Sequence, residues 1–316
     1  MIIVQILIVL ISTILIFIIA PSIVMYLIVF GRKDRPHIEK SDLTKTYYAP
    51  FREELMSSYR YLQVLPTEQI SISSSDGLML YGEYKNGGFS KTAIFCHGYG
   101  GTPYHQFSPQ AKDLYQAGFN LLFPIQRAHN ESEGKHTTLG IKEADDLLIW
   151  IDWVRKHSEC KEILLYGMSM GCSAIEYASD RLEKKDICAM VLDCGFTSPW
   201  DQLTFDAKKH HIPSKVFLPL IALYAKVRIG IDIKADTRPA LSKTSIPALF
   251  FHGTEDQTVP LSQGLQNFEA CASEKERCII DGAGHTLCYL YGGEKAVSCL
   301  DQFLMKYFTI YERNQT

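Results

Sequence analysis

Ser169 lies between Gly167 and Gly171 in the segment LLYGMSMGCSA, and this Gly-x-Ser-x-Gly pattern is the first candidate for chemistry in the chain. The pattern alone carries little information, because glycine and serine are common residues and often fall this way by chance. Its flanks add to it: EILLYG has the apolar character of a buried strand, and MGCSAIEYASDRL has the periodicity of a helix. A sharp turn between a strand and a helix exposes a serine hydroxyl, so the sequence predicts Ser169 as a nucleophile.

A serine hydroxyl is a weak nucleophile at neutral pH and needs a neighbouring base that a carboxylate orients. Two downstream loops supply the candidates, and each follows a strand-like run. Asp256 lies in TEDQTVP after the run ALFFHGT, and His285 follows RCIIDGA and Gly284. Glu255 is the alternative acid, but Asp256 is preferred for its position in the chain order of a triad. The sequence therefore predicts Ser169, Asp256 and His285 as a catalytic triad.

Attack by a serine on an acyl group creates a negative oxygen, which each aimed backbone N–H stabilises by about 3 kcal/mol. Met170 follows the nucleophile and is expected to supply one N–H of this oxyanion hole. The second is expected from Tyr99, in the glycine-rich segment HGYGGTPYH that follows the first parallel strand. This mechanism needs no cofactor and no metal, and the sequence offers no glycine-rich phosphate loop or cluster of metal ligands that would suggest one.

From residue 67 onward, short apolar runs alternate with longer amphipathic runs. The segment EQISISSSDGLMLYGEYK alternates apolar and polar residues on both sides of Asp76 and Gly77, which predicts an antiparallel hairpin. Six further runs have the character of strands buried on both faces: TAIFCHG, NLLFPIQ, EILLYGMS, AMVLDCGF, ALFFHGT and RCIIDGA. Helical patterns occupy residues 103–117, 139–158, 170–182, 262–273 and 292–309. This alternation predicts a hairpin that leads into a mostly parallel, doubly wound α/β sheet.

Residues 199–247 separate two of these strands and are far longer than an ordinary connection. Their helical periodicity predicts an inserted helical cap, of the kind that lies over an active site. Within it, VFLPLIALYA runs from Val216 to Ala225 without a charge and is too short to span a bilayer. We hypothesise that this run lines an acyl pocket or touches a membrane surface; the alternative is a cap helix packed on the core.

The composition is that of a folded protein with one catalytic domain: 316 residues, of which 47% are hydrophobic and 21% are charged. A net charge of -3 without a long basic run gives no electrostatic footprint for nucleic acid, so small molecules or lipids are the expected partners. The nine cysteines are an odd number without a C-x-x-C pair, which argues against a disulfide framework or a zinc site and favours a reducing compartment. The sequence leaves the oligomeric state open.

The first 30 residues contain no charged side chain and exceed the roughly 20 residues that span a bilayer. They lack the basic start and the small-residue cleavage site of a signal peptide, so residues 1–30 are expected to form a transmembrane anchor. Pro21 is expected to kink this helix or to end its spanning part.

Three basic residues, Arg32, Lys33 and Arg35, follow the apolar segment and none precedes it. The positive-inside rule then predicts a single-pass protein of the cell membrane with its catalytic domain in the cytoplasm. Residues 31–66 are charged and interrupted by proline, which predicts a stalk with room for one helix that leads into the domain, and residues 67–316 are expected to form the catalytic domain.

With these motifs in place, the sequence resembles the α/β-hydrolase superfamily. The segments FCHGYGG, LLYGMSMG, FFHGTEDQTVP and DGAGH follow the superfamily's order, and QRAHNESEGKHTTLGIKEADDLLIWIDWV and VLDCGFTS resemble a group of bacterial, often membrane-anchored serine esterases and peptidase-like hydrolases. The resemblance implies hydrolysis of a carboxylic ester, a thioester or an amide through an acyl-serine. Two positions depart from the group: Asn130 replaces the usual glycine, and Ile125 replaces a common aspartate.

Three functions remain open at the level of the sequence. The first is a membrane-anchored serine hydrolase that cleaves carboxylic esters or thioesters, with a small-molecule or lipid ester as substrate. The second is an exopeptidase-like amidase or an acyltransferase that uses the same triad. The third is a catalytically silent binding protein with a hydrolase fold, and the complete set of triad and oxyanion residues argues against it.

Overall fold

Eight strands form one sheet in the computed structural model, which describes residues 1–309. The strands are β1 Thr67–Ser73, β2 Met79–Lys85, β3 Lys91–Cys96, β4 Phe119–Pro124, β5 Glu162–Met168, β6 Ile187–Asp193, β7 Ala248–Gly253 and β8 Lys275–Ile280. Their order across the sheet is β1-β2-β4-β3-β5-β6-β7-β8. Strand β2 pairs antiparallel with β1 and β4, and every other pair is parallel. The predicted hairpin and the predicted mostly parallel sheet are confirmed.

Helices cover both faces of the sheet, as expected for strands that are apolar along their whole length. The helices of the domain are α3 Arg52–Gln63, α4 Pro103–Gln116, α5 Glu143–His157, α6 Met170–Ala178, α7 Pro199–Lys209, α8 Ser214–Ile229, α9 Arg238–Leu241, α10 Leu261–Ala270, α11 Cys288–Gly292 and α12 Glu294–Tyr307. On one face, Phe107 packs against Phe95, and Phe303 belongs to the same hydrophobic cluster. On the other, Trp150 and Ile175 belong to a second cluster. The sheet is thereby held rigid from both sides, and its carboxyl edge is left to carry the loops.

The segment expected to form a cap, residues 199–247, contains α7, α8 and α9 between β6 and β7. Helix α7 begins at a Ser198 cap, whose hydroxyl accepts the backbone N–H of Asp201 at 3.0 Å. Helix α8 ends at Gly230, which adopts the left-handed conformation with φ 72°.

The N-terminal segment is one continuous helix over Ile2–Phe30, long and apolar enough to cross a membrane. It consists of α1 Ile2–Ile14, a π-helical turn Leu15–Ile19, and α2 Ala20–Phe30. Pro21 has no N–H to donate to the preceding turn, which explains why the helix widens just before this residue rather than ending there.

Helix α2 is docked on the domain, because three of its side chains are buried at successive turns: Ser22, Tyr26 and Phe30. Tyr26 and Phe30 join a cluster with residues of α8, and backbone hydrogen bonds extend the contact. The N–H of Thr137 donates to the carbonyl of Phe30 at 2.9 Å, and the N–H of Lys33 donates to the carbonyl of Ala128 at 2.8 Å. The apolar helix is therefore joined to the domain without a flexible hinge.

Residues 31–66, for which the sequence predicted a stalk, also lie against the domain. They form three short 3-10 turns followed by α3, which packs on α4. Leu55 and Leu62 on α3 are fully buried, and Tyr59 meets Tyr104 edge to face at 5.3 Å. The spaced apolar residues of this segment draw it onto the body despite its many charges.

The sequence argued against a disulfide framework, but one pair of cysteines is bonded. Cys278 on β8 and Cys299 on α12 form a disulfide, and the other seven cysteines are free. Spacing in the sequence gave no sign of the pair, because two residues 21 positions apart meet only when α12 packs back on β8. The cysteines as a set therefore no longer favour a reducing compartment.

Candidate active site

The candidate nucleophile Ser169 occupies the turn between β5 and α6, with φ 52° and ψ -119°. This backbone conformation is strained for a residue with a side chain, and strained residues of this kind cluster at active sites and ligand-binding sites. The N–H of Ser169 donates to the carbonyl of Asp193 on the neighbouring strand at 2.8 Å, which helps to hold the turn. The hydroxyl is thereby presented at the carboxyl edge of the sheet, as the sequence predicted.

Gly167 and Gly171, two residues on either side of Ser169, leave no room for a side chain. A Cβ on Gly167 would lie 2.6 Å from the Cα of Cys172, and one on Gly171 would collide with the carbonyl oxygen of Cys96. Helix α6 can therefore approach β3 and β5 closely only because both positions lack a side chain. The Gly-x-Ser-x-Gly pattern reflects this packing.

The three predicted triad residues meet in one chain of hydrogen bonds. His285 Nε2 lies 2.9 Å from Ser169 Oγ, and His285 Nδ1 lies 2.7 Å from Asp256 Oδ2. The side chain of Asp256 is fully buried, whereas the alternative acid Glu255 points to solvent. These distances allow an imidazole to accept a proton from the serine while a carboxylate orients it.

Asp256 is held in its charged form. Burial by itself disfavours the charge, but the hydrogen bond and the charge of His285 outweigh it and lower the pKa of Asp256. The backbone N–H groups of Thr258 and Val259 also donate to Asp256 Oδ1, at 2.8 Å and 2.9 Å. The carboxylate therefore stays ionised at neutral pH and can stabilise an imidazolium.

The loop after β3, with Tyr99 at its tip, lies beside the nucleophile. A Cβ on Gly98 would approach the Cβ of Ser169 to 3.1 Å, so the loop backbone passes directly along the serine. Within residues 1–309, the backbone N–H groups of Tyr99 and Met170 have no hydrogen-bond partner. Both are thus free to donate to a ligand at the positions where the sequence predicted an oxyanion hole.

Buried side chains behind this loop fix its shape. Gln106 Oε1 accepts the N–H of Gly98 at 2.7 Å, and His129 Nε2 accepts the N–H of Gly100 at 3.0 Å. Burial lowers the pKa of His129 to about 4, so its imidazole is neutral and able to accept at neutral pH. The sequence reasoning assigned no role to Gln106 or His129, although RAH was among the segments that carried the family resemblance.

The side chain of Tyr99 ties the loop to the apolar helix. Its hydroxyl donates to the carbonyls of Ile28 and Val29 at the end of α2, at 3.0 Å and 2.8 Å. The ammonium of Lys33 lies 5.0 Å above the Tyr99 ring, a cation–π contact, and reaches the carbonyl of Ile28 at 2.6 Å. The candidate oxyanion loop and the N-terminal helix therefore form one connected structure.

A cleft of about 400 Å³ opens beside Tyr99. Arg35, Tyr48 and Thr102 are among its lining residues, and Tyr48 connects it to the triad. The hydroxyl of Tyr48 lies 3.4 Å from Oγ1 of Thr286, the residue after His285. The cleft lies beside the triad: its lining includes Tyr99 but none of Ser169, Asp256 and His285.

A second carboxyl group lies buried beneath the triad. Asp193, at the end of β6, has no nitrogen or oxygen hydrogen-bond partner within the described part of the chain. Burial raises its pKa to about 6. Sequence reasoning assigned no role to it, because an aspartate at the end of an apolar strand is indistinguishable from an exposed loop residue.

One group of side chains in the described chain has the donors and spacing for a metal ion. It comprises Cys194, Asp256 and His285, whose ligand atoms lie within 4.8 Å of one another. Asp256 and His285 are already hydrogen-bonded to each other, so a metal at this point would have to break that bond.

Comparisons with known proteins agree with this architecture. The sequence pattern of a family described as alpha/beta hydrolase fold matches residues 92–215. YqkD of Bacillus subtilis, an uncharacterised protein, is 26% identical over 218 residues, which are 67% of this chain and 70% of the relative. Protein bem46 of Schizosaccharomyces pombe is 25% identical over 231 residues, which are 72% of this chain and 71% of the bem46 chain. An esterase of Pyrococcus furiosus superposes with a TM-score of 0.63 at 23% identity, covering 78% of this chain and 93% of the esterase.

The chain has the α/β-hydrolase fold, as the sequence predicted, and the family's sequence pattern matches its residues 92–215. Its sheet order, with an antiparallel hairpin ahead of parallel strands, and the loop positions at the carboxyl edge are those of the fold. Fold and relatives together support an enzyme of the hydrolase class.

Proposed function

We propose that the protein is a membrane-anchored serine hydrolase that cleaves carboxylic esters, thioesters included, through an acyl-serine intermediate. One observation carries the proposal: Ser169, His285 and Asp256 form a hydrogen-bonded chain at 2.9 Å and 2.7 Å at the strained turn where a nucleophile is expected. A serine that served only as a turn residue would have no need of a buried acid and base in line with its hydroxyl.

The reaction follows from the positions of these groups. His285 Nε2 accepts the proton of Ser169 as Oγ attacks the carbonyl carbon, and the N–H groups of Tyr99 and Met170 stabilise the oxyanion. The imidazolium, stabilised by Asp256, then donates its proton to the leaving oxygen or sulfur, which departs as an alcohol or a thiol. Water activated by His285 attacks the acyl-serine, and Ser169 is regenerated as the carboxylic acid leaves.

The membrane part of the proposal rests on the apolar helix Ile2–Phe30, which is long and apolar enough to cross a bilayer. Its most apolar stretch is not buried by the rest of the described protein, so this apolar surface needs another environment. Arg32 and Lys33 at the end of the helix favour a cytoplasmic catalytic domain.

The test uses the full chain in nanodiscs, because α2 is part of the folded body. A fluorophosphonate probe is expected to label the protein, and a series of p-nitrophenyl esters from acetate to palmitate is expected to be hydrolysed. Both are expected to vanish in Ser169→Ala, and turnover is expected to fall by about 10³-fold or more in His285→Ala.

The matched control for these changes is Ser298→Ala, on α12 and away from the triad, which is expected to leave both readouts unchanged. Folded parent protein that neither labels nor hydrolyses any of the esters would contradict the proposal. Aminoacyl p-nitroanilides serve as the comparison class, since faster turnover of these would identify an amidase on the same triad.

A further inference from the structure

Helix α8 carries apolar side chains on two opposite faces. The inner face packs on the body and includes Leu218, Ile221 and Ala225, all buried. The outer face comprises Val216, Leu220, Leu223 and Val227, at intervals of four, three and four residues. With 3.6 residues per turn, these four side chains fall within a sector of about 60°. Val216, Leu223 and Val227 are 43%, 55% and 72% exposed, so the outer face is an apolar stripe in contact with solvent.

Basic residues flank this stripe. Lys215 and Lys226 project on one side of the helix and Arg228 on the other, and all three are exposed. An apolar stripe bordered by cations is the pattern of a helix that lies in the plane of a membrane surface, with its stripe in the acyl region and its cations among the lipid headgroups. We define Val216, Leu220, Leu223 and Val227 as the outer stripe.

The outer stripe lies next to a second apolar surface. Helix α8 packs along α2, whose buried side chains Tyr26 and Phe30 share a cluster with Leu218. The other side of α2 is exposed and apolar: Ile23, Val24, Leu27 and Ile28. Two packed helices thus present neighbouring apolar surfaces, and one of them continues directly into the membrane-spanning candidate.

The length of the apolar helix indicates where the membrane surface would lie relative to α2 and α8. Its 29 residues extend about 43 Å, whereas the hydrocarbon core of a bilayer is about 30 Å thick. The remaining ~13 Å corresponds to about nine residues, which is close to the length of α2. Because the domain holds the inner side of α2, the bilayer surface must pass beside α2, at the height of α8.

We propose that α8 lies in the bilayer surface with its outer stripe among the lipid acyl chains, and that the site takes a long-chain ester from that leaflet. The inference rests on the anchor and the hydrolase proposed above and names their substrate class. Tyr99 bonds to Ile28 and Val29, and Met170 packs in the same cluster as Leu218, so the candidate oxyanion hole adjoins the two helices that contact lipid. An acyl chain leaving the bilayer there would enter beside Tyr99 and Met170.

Docking is tested by tryptophan quenching in full-length protein. Leu223→Trp is reconstituted in phosphatidylcholine–phosphatidylglycerol vesicles with brominated acyl chains, and the signal of the parent protein is subtracted. Ile8→Trp in α1 reports insertion of the anchor, and Met305→Trp on the exposed side of α12 is the matched control. We expect quenching at positions 8 and 223 and none at position 305.

Quenching at position 8 without quenching at position 223 would overturn the docking of α8 while leaving the anchor in place. Absence of quenching at both positions would overturn the anchor and, with it, the docking. Equal quenching at positions 223 and 305 would also overturn the inference, because lipid contact would then not be specific to the outer stripe.

Substrate supply is tested with the double variant Leu223→Ser, Val227→Ser, in which two exposed side chains change and the core does not. We expect hydrolysis of p-nitrophenyl palmitate in vesicles to fall roughly fivefold to tenfold, and hydrolysis of soluble p-nitrophenyl acetate to stay unchanged. Equal loss on both esters, or no loss on either, would overturn supply from the leaflet. A parent protein inactive on both esters would overturn the hydrolase and the substrate class together, while the quenching result would still decide the docking.

Discussion

Ser169 holds a backbone conformation that costs on the order of 1–3 kcal/mol, and its surroundings make that conformation the only one available. The absence of side chains at Gly167 and Gly171 lets α6 press against β3 and β5, so the turn cannot relax without moving a helix. The same packing brings the hydroxyl into line with His285. The packing of α6 against β3 and β5 therefore both strains the backbone of Ser169 and brings its hydroxyl within hydrogen-bond distance of His285.

The buried carboxyl group of Asp193 is expected to make the stability of the protein depend on pH. Its folded-state pKa of about 6 lies above the ordinary value of 3.8, so the unfolded chain releases this proton first as the pH rises. The free energy of unfolding therefore decreases between about pH 4 and pH 6. Asp193→Asn removes this penalty, and its stability relative to the parent is expected to improve over that range by up to about 3 kcal/mol.

The measurement for Asp193→Asn is the thermal unfolding midpoint at pH 4.5 and at pH 7.5, in the same detergent. Asp180→Asn, which alters an exposed carboxylate, is the matched control and is expected to show no such difference between the two pH values. A difference between Asp193→Asn and the parent that is the same at both pH values would contradict the buried-charge explanation.

The meeting of the three candidate residues could be predicted from the sequence, whereas the groups that support them could not. Ser169, Asp256 and His285 each follow a recognisable strand, and the loops at the carboxyl ends of parallel strands converge on one edge. His129, after β4, and Gln106, on α4, act through hydrogen bonds to the backbone of the loop after β3, and such contacts leave no pattern in the sequence. The partner of His129 becomes visible only when β3 and β4 are paired and the loops that follow them lie side by side.

At the scale of elements, the loop after β3 is coupled to a helix from the far N-terminus. The hydroxyl of Tyr99 bonds to two carbonyls of α2, while the N–H of the same residue is the proposed oxyanion donor. A displacement of α2 would therefore be transmitted to the oxyanion hole through one side chain.

This coupling predicts the effect of Tyr99→Phe. Loss of hydrogen bonds that contribute about 0.5–1.5 kcal/mol is expected to lower kcat by about twofold to tenfold, with KM changed less. Steady-state kinetics on a p-nitrophenyl ester measures the effect. Tyr115→Phe, near the C-terminal end of α4 and outside the cleft, is the control, and an equal loss in both variants would contradict a role for the Tyr99 hydroxyl.

The regular elements followed the sequence closely because alternation and helical period are local signals. The hairpin around Gly77 and the strands β3 to β8 lie where their apolar runs predicted. Helix α11 was not predicted, because five residues are too few to show a period. The packing of residues 31–66 was missed since their charges suggested solvent, while Leu55 and Leu62 occupy one face of α3 and decide its position.

At the scale of the whole molecule, the apolar helix has two different parts. The side chains of α1 are all exposed to the surroundings, whereas Tyr26 and Phe30 of α2 are 3% and 0% exposed in contact with the domain. The apolar helix and the α/β body therefore overlap over about the last third of the helix.

Two truncations separate these parts. Removal of residues 1–19 is expected to leave a folded, active domain, because the docked helix α2 remains. Removal of residues 1–30 deletes two buried aromatic side chains, each contributing about 3–5 kcal/mol in a core, and is expected to lower the unfolding midpoint and the turnover of soluble esters strongly. Circular dichroism melting and p-nitrophenyl acetate hydrolysis measure both effects, and equal behaviour of the two truncations would contradict the docking of α2.

The rigid junction at Phe30 also determines which substrate concentration would control the rate of this protein. A catalytic centre held at one height and one orientation above a leaflet meets molecules that diffuse in two dimensions, so its rate follows their surface density and not their molar concentration in the suspension. Adding inert lipid at constant total ester would then slow turnover by surface dilution, and crowding the leaflet with the same ester would restore it.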